Sequence, residues 1–144
     1  MAETTSNSEL LTVRLVTPDR VLVDGTAAAV ELPSMSGYFE ALYGHAPLLA
    51  ELGAGEVRLH GGNTENQRFF VAWGFAEVLP ERITILAETA LRPEEIDVAE
   101  VQQELKDADK MWQEAGDDGH MYDAANRVTR QAEEKIASAQ GKSL

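Results

Sequence analysis

The spacing of hydrophobic residues changes at Pro93, and this change limits the chain to a fold with two unlike parts. Before Pro93, apolar and polar residues alternate in short runs, as they do in half-buried β-strands. After it, apolar residues recur every three or four positions, as they do on one face of an α-helix. All lysines of the chain also follow this boundary. The sequence therefore predicts an α+β chain, with a β domain at residues 9–92 and a helical domain at residues 93–144.

The first part carries the signals of a flattened β-sandwich or barrel. Residues 11–16 alternate between apolar and polar side chains, as a strand with one buried face does. Asp24-Gly25 predicts a tight hairpin turn, because both residues tolerate positive φ, and Pro33 predicts the end of the next strand. Gly74 interrupts an uncharged run at residues 69–76 and predicts a bend there. Turn signals at this close spacing predict about eight to ten short strands.

The second part predicts an antiparallel hairpin of two helices. Asp97 is placed to cap the first helix, with Glu100 at capping-box spacing, and the glycines in residues 116–119 end that helix. An apolar stripe follows each helix at intervals of three and four residues, although the second stripe is mostly alanine. Trp112 is the largest side chain on the first stripe, so it is the expected buried anchor. The predicted packing residues are Val101, Leu105, Trp112, Val128 and Ile136.

Composition excludes several classes of partner. The net charge of -13 argues against nucleic acid, whose phosphates need a basic surface, and against an anionic membrane surface. The longest uncharged run, at residues 41–50, is too short to span a bilayer, so no direct membrane insertion is expected. The chain has no cysteine, which excludes disulfides and fits a reducing compartment. Residues 1–8 lack the pattern of a signal peptide and predict a disordered tail.

The sequence has no pattern typical of an enzyme. It lacks both the serine-elbow motif of hydrolases and the zinc-binding His-Glu-x-x-His motif. His45 has no second histidine, cysteine or paired carboxylate at ligand spacing, so the sequence predicts no metal and no cofactor. A lone histidine before Ala-Pro is expected to hydrogen-bond a backbone group of its own turn. We therefore expect a non-catalytic protein.

Three motifs follow one another in the first part of the chain. They are Gly44-His45-Ala46-Pro47-Leu48, then Phe70-Val71-Ala72-Trp73-Gly74-Phe75-Ala76-Glu77-Val78, and then Ile85-Leu86-Ala87-Glu88. In order and spacing, these motifs resemble those of the epsilon subunit of F-type ATP synthases, the homologue of the mitochondrial delta subunit. The resemblance runs from about residue 9 to residue 97. One departure is Tyr43, which stands where the family pattern has a proline.

The resemblance implies a non-catalytic subunit in the central rotor stalk of a proton- or sodium-translocating ATP synthase. Its expected partners are the gamma subunit, the ring of c subunits and the subunits of the catalytic head. The β domain would couple rotation of the c-ring to gamma, and the helical hairpin would act as a brake on ATP hydrolysis. The expected location is peripheral, on the cytoplasmic face of the bacterial inner membrane.

The resemblance also implies a partner-facing role for the segment around residues 34–45. Within it, the candidates for contact with the c-ring or gamma are Ser34, Met35, Ser36, Gly37, Tyr38 and His45. Exposed aromatic side chains beside small residues favour protein contacts. Composition alone leaves a second interpretation open, in which the segment is a short edge strand whose aromatic rings lie in the core.

Arg127 and Arg130 are the candidates for an inhibitory contact with the catalytic head. They lie three residues apart on the second helix and so share a face; the alternative is that they only keep the hairpin soluble.

Some members of the family bind ATP at the start of the first helix, and Ile96 and Asp97 match that pattern. Glu100 stands where the pattern needs arginine and would repel phosphate. We therefore expect no nucleotide binding, with Asp97 serving as a helix cap.

A function from another class stays open at this stage. The chain could be a free-standing β-sandwich that binds other proteins, with a helical hairpin that serves for dimerisation. The two interpretations differ in one observable property, because the ATP synthase subunit is expected to associate with gamma at micromolar concentration and the free-standing module is not.

Overall fold

The computed structural model describes residues 9–141, with all strands before Pro93 and both α-helices after it. The strands are β1 (Leu11–Val16), β2 (Val21–Ala27), β3 (Ala29–Ser34), β4 (Gly37–Leu42), β5 (Leu48–Glu51), β6 (Ala54–His60), β7 (Arg68–Val78) and β8 (Arg82–Leu91). The helices are α1 (Val98–Ala115) and α2 (Gly119–Ala139), and short 3-10 turns occupy Gly62–Thr64 and Pro93–Glu95. The tail predicted at residues 1–8 lies outside the described residues.

The eight strands form an open sandwich rather than a closed barrel. Hydrogen bonds connect them in the order β2-β1-β8-β7-β6-β3-β4, and β5 pairs with the second half of β7. β7 and β8 are long enough to run through both layers. One half of this pair joins β1, β2 and β5 in a first layer, and the other half joins β6, β3 and β4 in a second layer. The predicted α+β class and the predicted sandwich are confirmed.

Strand β7 bends at Trp73 and Gly74, where it passes from one layer to the other. Both residues have positive φ, 62° and 118°. β7 pairs with β6 up to Ala72 and with β5 from Phe75 onward. A side chain at Gly74 would collide with the backbone oxygen of Leu86 on β8, so the bend needs glycine. The bend predicted at Gly74 is confirmed, although β7 remains one continuous strand.

Two predicted breaks in the strands are wrong. Asp24-Gly25 lies inside β2, where Gly25 pairs with Val13, and the chain passes to the second layer later, at Ala28. Gly25 serves a close contact instead of a turn, since a side chain there would collide with that of Asn63. Pro33 lies inside β3. It is tolerated because β3 pairs with β6 only along its first half.

The main core fills the space between the two layers. It consists of buried apolar side chains from the strands and of Leu52, which follows β5, and none of the helical residues that the structure describes belongs to it. Its large members include Leu11, Leu32, Phe69 and Ile83. We therefore propose that residues 9–92 fold as an independent unit. Cooperative unfolding of a chain that ends at Arg92 would support this boundary, and loss of cooperativity would contradict it.

A smaller apolar cluster lies on the outer surface of the second layer. It contains Ala54, Phe70 and Ala72, with Trp73, Leu91 and Ile96 packed against it. Helix α2 contacts β6 and β7, and the ammonium group of Lys135 lies 5.9 Å from the centre of the Phe70 ring. Helix α1 packs on α2. The hairpin is therefore docked on the sandwich through its second helix.

Both helices begin at a side-chain cap. The carboxylate of Asp97 accepts hydrogen bonds from the backbone N–H groups of Ala99 and Glu100, at 3.0 and 3.3 Å. Asp118 caps α2 in the same way, so two backbone donors at each helix start are satisfied. The cap predicted at Asp97 is confirmed. Within residues 9–141, no helix is both long enough and apolar enough to cross a membrane.

Small side chains dominate the buried surface of the hairpin. Its buried apolar residues are Val101, Ala108, Ala115, Ala125 and Ala132, whereas Leu105, Val128 and Ile136 are only half-buried. Trp112 is 38% exposed, so its ring is not fully buried as an anchor would be, although it still packs on the second helix. Alanines on both helices allow a close approach that leaves no room for a large ring between them. The Trp112 ring instead lies edge-on against Tyr122, with 4.9 Å between ring centres.

Candidate interaction surfaces

The turn between β3 and β4 carries most of the predicted contact residues, at one end of the second layer. Ser34 holds the turn, because its hydroxyl donates to the carbonyl of Gly37 at 2.6 Å and accepts from the N–H of Ser36 at 3.2 Å. Met35 is 58% exposed at the tip. The hydroxyl oxygen of Tyr38 accepts a backbone hydrogen bond from β6 at 2.8 Å. The turn therefore presents an apolar tip on a hydrogen-bonded base.

His45 lies at the opposite end of β4 from this turn, so the fold separates it from the other candidates. Its Nδ1 is 2.6 Å from the carbonyl oxygen of Ala46, which is the backbone contact expected for a lone histidine in a turn. β4 is an edge strand, as the second interpretation of this segment predicted. Of its two rings, however, only Phe39 packs against the core, whereas Tyr38 is 41% exposed.

A second apolar surface lies on the outer face of the first layer. Val16, Leu86 and Phe75 are direct neighbours there on β1, β8 and β7, and we call these three residues the apolar row. Phe75 is 51% exposed and Leu86 is 53% exposed, and a shallow groove of about 400 Å³ runs beside them. Leu49 is exposed on β5, on the other side of β7. Contiguous exposed apolar side chains mark interaction sites.

The apolar row was not predicted from the sequence, although one signal points to it. After Gly74, β7 alternates so that Phe75 and Glu77 share the exposed face while Ala76 and Val78 are buried. A charged residue on a strand indicates the face that meets solvent, and Phe75 must share that face because the side-chain period is two. A run without charge, as at residues 69–76, favours burial instead, and Phe75 departs from that pattern.

Arg127 and Arg130 lie on the side of α2 that faces the bend in β7. The guanidinium of Arg127 pairs with Glu88 at 3.0 Å and lies 4.6 Å from the centre of the Trp73 ring. The indole N–H of Trp73 donates to Gln131 on α2 at 2.9 Å. The side chain of Arg130 forms no hydrogen bond or ion pair within the described part of the chain. In the docked hairpin, Arg127 is therefore engaged within the chain, whereas Arg130 is available.

A cleft of about 460 Å³ separates α2 from the bend in β7 and the β3–β4 turn. Its lining includes Met35 from the turn, Phe75 from the apolar row, and both Arg127 and Arg130 from α2. The predicted contact turn, the apolar row and the two candidate arginines therefore adjoin one another. One side of the molecule carries all three surfaces.

The contact between α2 and the sandwich also contains a fully buried carboxylate, on Glu56 of β6. It accepts hydrogen bonds from Arg58 Nε at 3.0 Å and Arg68 Nη1 at 2.8 Å. A third bond comes from the hydroxyl of Ser138 on α2, at 2.7 Å, and Ser138 is itself fully buried. A buried charge is tolerated when it is paired and hydrogen-bonded. The burial of this carboxylate therefore depends on the docking of α2.

Ile96 and Asp97, which match part of a nucleotide-binding pattern, both have structural roles in this fold. Ile96 packs against the small apolar cluster of the second layer, and Asp97 caps α1. Glu100 follows in the first turn of the same helix and adds negative charge where a phosphate would have to bind. The absence of nucleotide binding stays a prediction, and calorimetry with millimolar ATP would test it.

Arg20 and Glu95 join the turn after β1 to the segment before α1. Their side chains form two parallel hydrogen bonds, at 2.9 and 3.0 Å, and Arg20 also donates to the carbonyl of Ala90 at 3.2 Å. The Arg20 guanidinium, followed by the backbone N–H of Arg92, lowers the pKa of Glu95 from 4.5 to about 2. These bonds favour the ionised carboxylate, so the start of the helical part is fastened to the sandwich by a charged pair.

Replacing Glu95 with glutamine should lower the free energy of unfolding at neutral pH. The folded-state pKa of Glu95 is below its ordinary value of 4.5, so its contribution is fully present above about pH 5 and is lost as the pH falls toward 2. The difference between the original chain and Glu95→Gln should therefore shrink over that window, as measured by urea unfolding at each pH. Glu94→Gln is the matched control, and a difference that does not vary with pH would contradict the prediction.

Among residues 9–141, cross-strand pairing brings together one group of side chains that could hold a metal ion. It consists of the carboxylates of Glu31 and Glu40 and the imidazole of His60, on β3, β4 and β6. These residues are far apart in the chain, so the local spacing that predicted no metal at His45 could not reveal them. Only the pairing of the strands does so.

A family model described as the β-sandwich domain of the ATP synthase delta/epsilon chain matches residues 10–93. The match spans the whole sandwich and ends where the helical part begins. Among similar curated proteins, the ATP synthase epsilon chain of Koribacter versatilis (strain Ellin345) is 48% identical over 104 residues, which cover 71% of this chain and 71% of that protein. The ATP synthase epsilon chain 2 of Ralstonia nicotianae is 42% identical over 104 residues, which cover 72% and 75%.

Two solved structures have a similar fold. One is a chain in a structure of the OSCP, F1 and c-ring of the Euglena gracilis mitochondrial ATP synthase. It matches with a TM-score of 0.76 at 20% sequence identity, and the match covers 90% of this chain and 81% of that one. In the central stalk and c-ring of the Tetrahymena thermophila enzyme, one chain matches with a TM-score of 0.60 at 12% identity, covering 88% and 94%. These similarities show the fold. Because they cover 90% and 88% of this chain, the matched part extends beyond the sandwich into the helical hairpin.

Proposed function

The chain belongs to the family of ATP synthase delta and epsilon chains, and we propose that it is a non-catalytic subunit of the central stalk of an ATP synthase. The family match over the whole sandwich carries this proposal. In this role the subunit transmits rotation and makes or breaks no chemical bond. Its partners are the gamma subunit, the c-ring and the catalytic head, and it lies peripherally on the cytoplasmic face of a bacterial inner membrane.

The apolar row supports a docking site for gamma. Phe75 and Leu86 pair directly across two strands and are both about half exposed, so an interface would remove a continuous apolar area from water. The β3–β4 turn, with Met35 at its tip, supports a contact with the c-ring because it projects from one end of the sandwich. His45 remains a separate candidate contact at the other end of β4.

The contacts of the hairpin favour a role as a brake on ATP hydrolysis, one that acts after α2 has left the sandwich. While α2 is docked, Arg127 is held by Glu88 and Trp73. That ion pair is more than half exposed on both sides, and such pairs contribute roughly 0.2–1 kcal/mol. Release of α2 therefore depends mainly on its buried contacts, and it frees Arg127 to act with Arg130 on an acidic surface of the head. Docked and released hairpins form a two-state equilibrium that the assembled enzyme shifts.

Recovery of the tagged chain from solubilised membranes of its host tests the stalk assignment. We expect gamma and the c subunits to be recovered with it in a fixed ratio. A chain recovered alone, or as a homodimer at micromolar concentration, would support the free-standing module with a dimerising hairpin instead. Deleting residues 93–144 should preserve recovery of gamma, since the apolar row lies on the sandwich.

Replacing Arg127 and Arg130 with alanine in the assembled enzyme should raise ATP hydrolysis toward the rate reached when residues 93–144 are deleted. The double replacement removes the two cations that meet the head, and added salt should shrink the difference because exposed charges are screened. Lys106→Ala with Lys110→Ala is the matched control, since it removes two cations from α1. If deletion leaves hydrolysis unchanged, the hairpin is not a brake; if only deletion activates it, the arginines serve for solubility.

A further inference from the structure

Glu31, Glu40 and His60 lie side by side at the β4 edge of the second layer. Glu31 on β3 is directly opposite Glu40 on β4 and directly opposite Arg58 on β6. His60 follows Arg58 by two residues on the same strand, so both side chains are on one face of the sheet. Three neighbouring strands therefore bring one imidazole and two carboxylates to a single place on the surface.

The three groups are close enough to share one ion. One ligand atom from each of Glu31, Glu40 and His60 lies within 4.8 Å of the other two. The Nε2 atom of His60 is 2.6 Å from Glu31 Oε2, and both side chains are partly open to solvent, at 45% and 30% exposure. An ion could therefore enter from water, and a water molecule could complete its coordination.

Of the two carboxylates in this group, that of Glu31 has cationic neighbours and that of Glu40 has none in the part of the chain that the structure describes. Like charges directly opposite each other on neighbouring strands destabilise a sheet. Glu31 has His60 at 2.6 Å and Arg58 at 3.9 Å. The side chain of Glu40, in contrast, forms no hydrogen bond or ion pair with any residue in 9–141, so its carboxylate faces that of Glu31 without a cation of its own. A divalent cation between the two carboxylates would remove this repulsion.

We propose that Glu31, Glu40 and His60 bind a divalent transition-metal ion of the Zn²⁺ class. One imidazole and two carboxylates suit Zn²⁺ and its neighbours Co²⁺ and Ni²⁺, whereas Mg²⁺ and Ca²⁺ take oxygen ligands. Bonds of about 2.0–2.2 Å to one ion place the ligand atoms roughly 3–4 Å apart. Small rotations of exposed side chains reach that geometry from the separations observed here. On binding, Nε2 of His60 gives up its hydrogen to solvent and coordinates the ion instead.

The ion would fasten the edge strand to the rest of the sheet. β4 has a hydrogen-bonded neighbour on one side only, β3, and the ion would add a link from β4 to both β3 and β6. A ligand that binds only the folded chain stabilises it by mass action. Saturation with metal should therefore raise the melting temperature. This site is independent of the ATP synthase assignment, because it rests on residues outside the surfaces assigned to gamma and the head.

Calorimetric titration of the full chain with ZnCl₂, after removal of metal with a chelator, tests the site. We expect saturable binding of one ion per chain and a rise in melting temperature. His60→Gln and Glu40→Gln should each weaken binding roughly tenfold or more, because even the loss of an outer-shell partner of a metal ligand typically costs about 10–100-fold in affinity. The chain has three histidines, so His45→Gln and His120→Gln are the matched controls and should leave the affinity unchanged.

Melting curves without metal show whether each variant folds, and glutamine at position 60 retains a donor for Glu31. Titration with Co²⁺ gives a second measurement, since visible absorption that depends on His60 reports direct coordination by imidazole. Absence of saturable binding up to about 1 mM Zn²⁺ would overturn the proposal. Unchanged affinity in His60→Gln or Glu40→Gln would overturn it too, as would a loss of affinity in either control.

Discussion

A chain in which Arg58 and Arg68 are both replaced by methionine should lose the docking of α2 on the sandwich. Both guanidinium groups bond the carboxylate of Glu56, at 3.0 and 2.8 Å, and that side chain is only 1% exposed. Without the arginines, the hydroxyl of Ser138 is the remaining partner that α2 offers to this charge. An uncompensated buried charge costs about 3–5 kcal/mol. Undocking of α2 removes that cost, because it exposes Glu56 to water.

Release of α2 is the expected response, rather than unfolding of the whole chain. The main core lies between the two strand layers and includes no residue of α2, so the sandwich keeps most of its buried area when the helix leaves. A shift of about 3 kcal/mol changes the docking equilibrium roughly 100-fold. Amide hydrogen exchange at residues 119–139 should accelerate by that factor. The fluorescence of Trp73, measured with Trp112 replaced by phenylalanine, should shift to that of a hydrated indole.

Glu56→Met added to the double variant is the matched control, because it removes the charge and leaves an apolar side chain. Replacing a whole buried charge network with apolar residues is often neutral or stabilising, so slow exchange in α2 should return. We call the hydrogen bonds of Arg58, Arg68 and Ser138 to the carboxylate of Glu56 the Glu56 network. If exchange at residues 119–139 stays slow in the double variant, this network does not hold the hairpin on the sandwich. Equally fast exchange in β6 and β7 would show that the arginines stabilise the sandwich instead.

The Glu56 network shows where inference from sequence stops. Residues 56–60 alternate, and Val57 and Leu59 enter the core as a strand with one apolar face predicts. The same period places Glu56 with Arg58 and His60 on the outer face, which is correct. The two-residue alternation does not reveal that a helix covers part of that face. The residue that closes the network, Ser138, follows 82 positions later and has no sequence signal that distinguishes it from a surface serine.

Two glycines show the same limit at the level of the backbone. Gly74 was predicted as a bend, and the reason is local, since its φ of 118° favours glycine. Gly25 was predicted as a turn because aspartate precedes it, but it lies in a regular strand. It is needed because Asn63 approaches it closely and accepts a hydrogen bond from the N–H of Thr26 at 2.8 Å. A contact with a distant residue overrides the local preference there.

The motifs that revealed the family mark backbone geometry more than contact surfaces. Gly44 and Gly74, which belong to two of the three motifs, both have positive φ. Such positions restrict the path of the chain, so these motifs report on local backbone geometry. The apolar row instead joins Val16, Phe75 and Leu86 from three strands, and no short motif can contain it. The surface proposed for the gamma contact could therefore be found only from the pairing of the strands.

Replacing Phe75 and Leu86 with aspartate should abolish association with gamma while the chain stays folded. Each side chain is about half exposed on the outer face of the first layer, so the free subunit can hydrate the new carboxylates. In an interface, the two charges would lose water without a partner, and two central apolar contacts would disappear. Central interface residues commonly contribute 2 kcal/mol or more each, so the affinity for purified gamma should fall by roughly 100-fold or more.

The matched control is Val21→Asp with Leu42→Asp, because both of these side chains are 51% exposed and lie on the edge strands β2 and β4. The control adds the same two charges to a chain whose net charge is already -13, and it introduces aspartate into strands to the same extent. Melting curves of both variants separate loss of folding from loss of binding. Weak binding in both variants would assign the effect to charge alone. Unchanged affinity after Phe75→Asp and Leu86→Asp would remove the apolar row from the gamma contact and leave the β3–β4 turn and His45 as the remaining candidates.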